Sequence, residues 1–215
     1  MPLIVVAGIV TVIGLIIAAV IWADKKRTEA ISALADRLNF SFQKDPPLAL
    51  ETDLSHFHLF SQGHSRKIKN VLIGLAGDIG VYVFDYKYTT GGGKSSHTWN
   101  QTVMLFRSEG MQLPEFALRP ENFFHRIGQV FGFQDIDFDS HPVFSKNFLL
   151  RGEDEVRVRT IFNESVLSYY DNRLKISTEG RGTDLIYYQH AKRKSPDQLE
   201  EFIRDGVQVL TLFKT

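Results

Sequence analysis

From Leu3 to Trp22 the chain is an unbroken run of uncharged, almost wholly aliphatic residues, with Thr11 as its one polar interruption, and it ends at Asp24-Lys25-Lys26-Arg27. At about 1.5 Å of rise per residue, such a run makes a helix roughly 30 Å long, the thickness of a bilayer's hydrocarbon core. The Thr11 hydroxyl is satisfied by bonding back to its own helix. After the run the pattern changes. Ile31, Leu34, Ala35 and Leu38 fall at helical spacing, which predicts that residues 26–38 continue the span as an amphipathic helix. Asp45-Pro46-Pro47 breaks the chain, and strand-like segments follow at Val71 to Leu75, Ile79 to Tyr88 and Trp99 to Arg107, separated by Gly77-Asp78 and by Gly91-Gly92-Gly93. On the second of these strands Tyr82, Phe84, Tyr86 and Tyr88 share one face, expected to be core. Val81, Val83, Asp85 and Lys87 share the other, expected to be the wet side.

Further along, Pro120 ahead of Phe123, Phe124, Ile127, Val130 and Phe131 predicts a helix with proline in its first turn. Another helix is expected within Glu153 to Tyr170, broken near Asn163. Leu174 to Thr178 and Leu185 to Gln189, joined through Gly180 and Gly182, predict a second hairpin. Ser195-Pro196-Asp197-Gln198 matches a capping box, and Leu199, Phe202, Ile203, Leu210 and Phe213 supply the apolar face of a last helix. The predicted fold class is therefore α+β: an N-terminal transmembrane helix, then an antiparallel-sheet domain with flanking amphipathic helices. Helix, hairpin and helix occur in residues 26–131 and again in 153–213, which suggests a degenerate repeat of two α-β-β-α units. The division expected is an anchor over 1–24 and one domain over 25–215, with a subdivision near 132–152 as the alternative.

Charge sets the topology. A cleavable signal peptide needs a basic n-region, a shorter apolar core and small residues at the cut site. Here no Lys or Arg precedes the core, and Ile21-Trp22 stand where small residues should be, so an uncleaved anchor is expected. Lys25, Lys26, Arg27 and Arg37 all follow the span, which predicts a cytoplasmic C-terminal domain and a short outside N-terminus, with Trp22 in the interfacial aromatic belt. The sequons at Asn39, Asn100 and Asn163 would then never meet a glycosylating lumen. All twenty-five basic and twenty-five acidic residues lie beyond the span, so the domain carries no net charge and gives no electrostatic reason to expect nucleic acid. Lys25, Lys26 and Arg27 face the lipid headgroups, but three cations are fewer than a lipid-recognising cluster has, and the topogenic reading is preferred. The chain has no cysteine.

The residue set for chemistry is sparse. Asp135, Asp137, Asp139 and His141 would share one face of an extended segment, and their oxygen and nitrogen atoms suit a divalent metal. Neighbours on one strand face lie nearly 7 Å apart, however, and the spacing lacks the glycine and distant glutamate of a calcium-binding loop, so a solvated, turn-capping stretch is the favoured reading. His56 and His58, with His64 nearby, could pair on one strand face, but no cysteine is available to complete a structural zinc site. Gly91-Gly92-Gly93-Lys94-Ser95 fails as a phosphate loop because Tyr88 occupies the first glycine position and no helix follows. No serine lies in G-x-S-x-G, no H-E-x-x-H is present, and Glu121 with His125 is an ordinary helical pair. In the span, Ala7/Thr11 and Gly14/Ala18 have the small-x-x-x-small spacing that permits helix dimerisation. No catalytic residue and no cofactor is assigned.

An ordered set of strings resembles an uncharacterised family of bacterial proteins with one N-terminal transmembrane helix and a cytosolic domain. They are Phe84-Asp85-Tyr86-Lys87-Tyr88-Thr89-Thr90, Gln101-Thr102-Val103, Leu118-Arg119-Pro120-Glu121-Asn122, Asp137-Phe138-Asp139-Ser140-His141-Pro142-Val143-Phe144-Ser145 and Leu149-Leu150-Arg151-Gly152. The resemblance implies a bacterial inner-membrane setting and brings no activity with it. The expected role is a membrane-anchored interaction or scaffolding module, whose partners are the bilayer and a protein, rather than an enzyme. The alternatives are a metal-dependent hydrolase using Asp135, Asp137, Asp139 and His141, and a homo-oligomer assembled through Gly14 and Ala18.

Overall fold

The computed structural model describes residues 2–48, 50, 54–121 and 135–214. The apolar run and the amphipathic segment form one continuous helix, α1 (Pro2–Leu38). It is long and apolar enough to cross a membrane, and the apolar window is entirely uncovered by the rest of the protein. Its last turns are different: Ile31, Leu34 and Ala35 are buried in the main core. The rule that predicted the amphipathic continuation therefore describes where the helix meets the sheet.

Eight antiparallel strands make one sheet: β1 (Ser41–Gln43), β2 (His64–Ala76), β3 (Ile79–Thr90), β4 (His97–Arg107), β5 (Leu113–Pro120), β6 (Phe148–Gly152), β7 (Ser177–Gly182) and β8 (Asp184–Tyr188), in the spatial order β1-β2-β3-β4-β8-β7-β5-β6. The predicted α+β class with an antiparallel sheet is the architecture observed. The halves are joined by β4 on β8, with Val103 opposite Tyr188 and Phe106 opposite Leu185. Strands β1 to β4 run in sequence order, whereas β8-β7-β5-β6 do not, so the two halves differ in connectivity. The sheet runs unbroken from residues before 132 to residues after 152.

Both faces of the sheet are covered. On one face Val81, Val83, Met104, Phe106, Leu118, Leu185 and Tyr187 pack beneath α1 and beneath the C-terminal helix α6 (Leu199–Phe213). On the other, Phe84, Tyr86, Tyr88, Val103, Leu105 and Tyr188 pack beneath Leu54 and Phe57 to Phe60, a segment that includes the short helix α2 (His58–Ser61). The expected wet side of β3 is thus corrected: α1 lies over it, and Val81 and Val83 are buried. The aromatic stripe is core as expected, although Tyr82 is only half buried.

Other elements depart from the pattern reading in instructive ways. Pro120 does not open a helix but closes β5, whose Phe116, Leu118 and Pro120 alternate as buried positions. The helix expected after it falls on residues 122–134, outside the described residues, as does His125. Asn163 does break the next helical region: it caps α5 (Glu164–Asp171) by accepting from the backbone N–H groups of Ser165 and Val166, after α4 (Glu155–Ile161) has ended. The second hairpin turns at Gly182-Thr183, between β7 and β8: Gly182, with φ of 56°, lies in the turn as expected, whereas Gly180 pairs within β7. The capping box at Ser195 and Gln198 forms and leads through a short turn into α6.

Candidate functional site

The joint between α1 and the sheet is made by polar side chains as well as by the core. Arg27 donates from Nε and Nη2 to the two carboxylate oxygens of Asp85 on β3, at 2.8 and 2.7 Å. Both side chains are nearly buried, with 10% and 11% of their surface exposed. Asn70 Nδ2 donates to Asp85 at 3.0 Å, and the Thr28 hydroxyl donates to Asn70 Oδ1 at 2.9 Å. Asn70 sits at a bulge in the β2–β3 ladder with φ of 52°, a left-handed conformation that asparagine tolerates better than most residues. Farther along α1, Arg37 reaches Glu200 of α6 at 2.8 Å. Three side-chain pairs thus hold α1 to β2, β3 and α6, with Asn70–Asp85 tying β2 to β3 beneath them.

Outward from this clamp, α1 and the sheet diverge around a cleft of about 760 Å³, open to solvent. Val20 and Ile21, from the apolar run, line its upper wall. Lys44, Lys67, Lys69, Lys87 and Arg193 line it from the sheet side, and Lys25 from α1. The carboxylates present are Asp24, Glu29 and Asp85, the last already taken by Arg27. Lys69 and Arg193 each approach Asp24 only to 3.9 Å, and Lys25 approaches Glu29 at the same distance. Lys44, Lys67 and Lys87 form no ion pair with any described residue. Lys67 and Lys87 are direct partners across the β2–β3 ladder.

Of the expected interfacial residues, Trp22 is exposed, with the Lys26 ammonium 5.1 Å from its ring centre, and Lys25 and Lys26 are exposed. Arg27 instead turns inward to Asp85. Gly14 and Ala18 are exposed along the span, and the space beside the Gly14 Cα is open.

The Asp135 to His141 stretch is not a strand. Asp135 accepts the Leu150 backbone N–H at 2.9 Å, and Ile136 donates its own N–H to the Leu150 carbonyl at 2.8 Å. Burial raises the Asp135 pKa above the ordinary carboxylate value, opposed by that hydrogen bond. His141 is buried, with Nε2 3.3 Å from Glu164 and Nδ1 3.1 Å from the Ser140 hydroxyl, directly before α3 (Pro142–Asn147). Among the described residues no three His, Asp or Glu side chains converge on a point that could hold a metal ion. The alternating face imagined for Asp135, Asp137, Asp139 and His141 does not form because backbone bonds to β6 and the turn at Asp139-Ser140 take up the segment.

His56 and His58 likewise lie in helical turns rather than on a strand. His58 belongs to a buried polar network under α2. Arg119 on β5 pairs with Glu179 on β7 at 2.9 Å, and Tyr188 donates to the same carboxylate at 2.8 Å. Glu179 also accepts the Leu59 backbone N–H at 3.3 Å. Gln62 links the Tyr88 hydroxyl, at 3.0 Å, to His58 Nδ1, at 2.9 Å, while His58 Nε2 lies 3.4 Å from Arg119. Burial, reinforced by the charges of Arg119 and Arg151, lowers the His58 pKa to about 3. This network pins the cover to the sheet. His58, Leu59 and Gln62 share one turn, but their partners Tyr88, Arg119, Glu179 and Tyr188 are far away in the chain, and no local pattern could have revealed the network.

A helix long and apolar enough to cross a membrane, clamped onto a two-sided antiparallel sheet, defines the architecture as α+β with a candidate N-terminal span. No protein-family model matches the sequence, and no curated protein matches it. Among solved structures, the fold is similar to that of the mycobacterial trehalose monomycolate transport factor A, TtfA, with a TM-score of 0.61 at 10% identity, over 87% of this chain and 92% of that one. At that identity the likeness is one of fold.

Proposed function

We propose that the chain is a single-pass protein of a bacterial inner membrane, with its N-terminus outside and its domain in the cytoplasm, and that the domain works as an interaction or scaffolding module for a membrane process. The observation that carries this reading is the clamp. A domain that only needed tethering could hang from a flexible linker, whereas here the span enters the core as one helix and is fixed by Arg27–Asp85, Thr28–Asn70 and Arg37–Glu200. The cations after the span supply the orientation. The similar fold of the mycobacterial transport factor TtfA supports an accessory role at a membrane.

The absence of cysteine makes the topology directly testable. Single Pro2→Cys and Lys214→Cys variants of the full chain are probed with a membrane-impermeant maleimide. Labelling of position 2 in intact cells, with position 214 labelled only after permeabilisation, is the expected result; the reverse pattern contradicts the orientation. The module reading is tested by photo-crosslinking in membranes from Leu75 and Val156, aliphatic side chains 72% and 77% exposed. A reproducible protein adduct is expected, and its absence from both positions contradicts a protein partner on either surface.

A further inference from the structure

We infer that the basic cleft between α1 and the sheet is a binding site for the phosphate headgroup of an anionic phospholipid in the leaflet facing the domain. The inference rests on α1 crossing the bilayer. Three independent observations converge on it.

The first is place. Val20 and Ile21, the end of the apolar span, line the same cleft as Lys44, Lys67 and Lys87. A molecule filling it meets hydrocarbon-facing side chains at one end and ammonium groups at the other. That is the profile of an amphiphile and not of a soluble anion. The second is charge. Six cations line the cleft against three carboxylates, and Asp85 is already occupied by Arg27. Clusters of about four to eight basic side chains just cytoplasmic of a span are the pattern that recognises anionic headgroups. The Lys25-Lys26-Arg27 string falls short of that number because the rest of the cluster comes from distant strands, and folding brings it together.

The third observation is local conflict. Lys67 and Lys87 face each other directly across the β2–β3 ladder, where like charges destabilise pairing. Two residues along, the ladder sets Lys69 opposite Asp85, an ordinary opposite-charge pairing. A sequence that places opposed lysines beside a membrane span keeps a repulsion that an incoming phosphate relieves. Rules broken locally in this way are expected at functional sites. The cleft is wide enough for a headgroup, and the Lys44, Lys67 and Lys87 side chains are exposed into it without partners among the described residues.

The test uses the full chain with Trp99→Phe, so that Trp22, at the membrane boundary, is the sole tryptophan. The protein is reconstituted in phosphatidylcholine bilayers doped with brominated phosphatidylglycerol or, separately, with brominated phosphatidylcholine. Quenching of Trp22 reports each lipid's association with the base of α1. A preference for phosphatidylglycerol of about fivefold is expected. It should fall to near unity in Lys44→Gln/Lys67→Gln/Lys87→Gln, and persist in Lys146→Gln/Lys175→Gln, which removes charge elsewhere on the surface. Equal quenching by the two lipids in the parent chain, or a preference untouched by the triple substitution, overturns the headgroup site while leaving the anchor standing. No quenching by either lipid means that Trp22 is not at a bilayer boundary, which overturns the anchor and this inference together. Loss of the lipid preference on adding millimolar soluble glycerol phosphate would assign the cleft to a free phosphate and also overturns the proposal.

Discussion

Asp85 is the residue on which the joint turns. It accepts two bonds from Arg27 and one from Asn70 while almost wholly removed from water. Replacing it with alanine leaves the Arg27 guanidinium buried and uncompensated, and a cost of about 3–5 kcal/mol is expected. Chemical denaturation of the full chain in detergent measures it. Converting both partners to leucine should recover most of the loss, because the penalty comes from the stranded charge and not from the absent pair. His58 makes a second residue-scale test. Its folded pKa of about 3 lies below the 6.5 of the free side chain, so the unfolded chain takes up the proton first as pH falls. Stability is therefore unaffected by this group above about pH 6.5 and declines toward pH 3, with a limiting slope of about 1.4 kcal/mol per pH unit. In His58→Gln that component of the slope should vanish, and parallel pH profiles for the two proteins would contradict the assignment.

At the scale of elements, packing between strands sets its own tolerances. A methyl group added at Gly180 of β7 would run into the Phe116 ring on β5, itself stacked on Phe213 of α6 and edge-on to Phe162. The ring has no room to yield, so Gly180→Ala should cost about 1–3 kcal/mol, read as a lowered denaturation midpoint with an unchanged slope. How far such elements could be read from the sequence depended on how local their causes are. The span, the β3–β4 hairpin, the break at Asn163 and the capped C-terminal helix follow from contiguous residues, and all were legible. The β5 strand was not, because Pro120 carries the same signature at a strand's end as at a helix's start, and Leu113 to Leu118 is too short to decide by period. The burial of both faces of β3 was hidden for another reason. Its second cover is α1 itself, arriving from residues 31–35, and alternation within one strand cannot register a layer supplied from elsewhere. The site was the least legible part. Arg27 and Asp85 are 58 positions apart, and the cleft's lysines are scattered from Lys25 to Lys87 with Arg193 beyond, each unremarked among a balanced set of charges.

At the scale of the whole molecule, the candidate membrane span and the helix that packs on the sheet are one element. Because α1 enters the core without a break, the anchoring proposed above would give the sheet a fixed attitude to the bilayer and hold the basic cleft where the headgroups are. Flexibility at this point would undo both features. A proline at Ala30 would remove a helical hydrogen bond and clash with the preceding turn, so Ala30→Pro should both destabilise the domain, by about 3 kcal/mol, and uncouple it from the span. The measurement that addresses the rigid joint most directly is a pulsed electron-paramagnetic-resonance distance in lipid nanodiscs, between spin labels at Ala18→Cys in the span and Leu75→Cys at the exposed end of β2. One narrow distance distribution, broadened by Ala30→Pro, is the expected result; a broad or many-peaked distribution in the parent chain would contradict a span and sheet that move as one body.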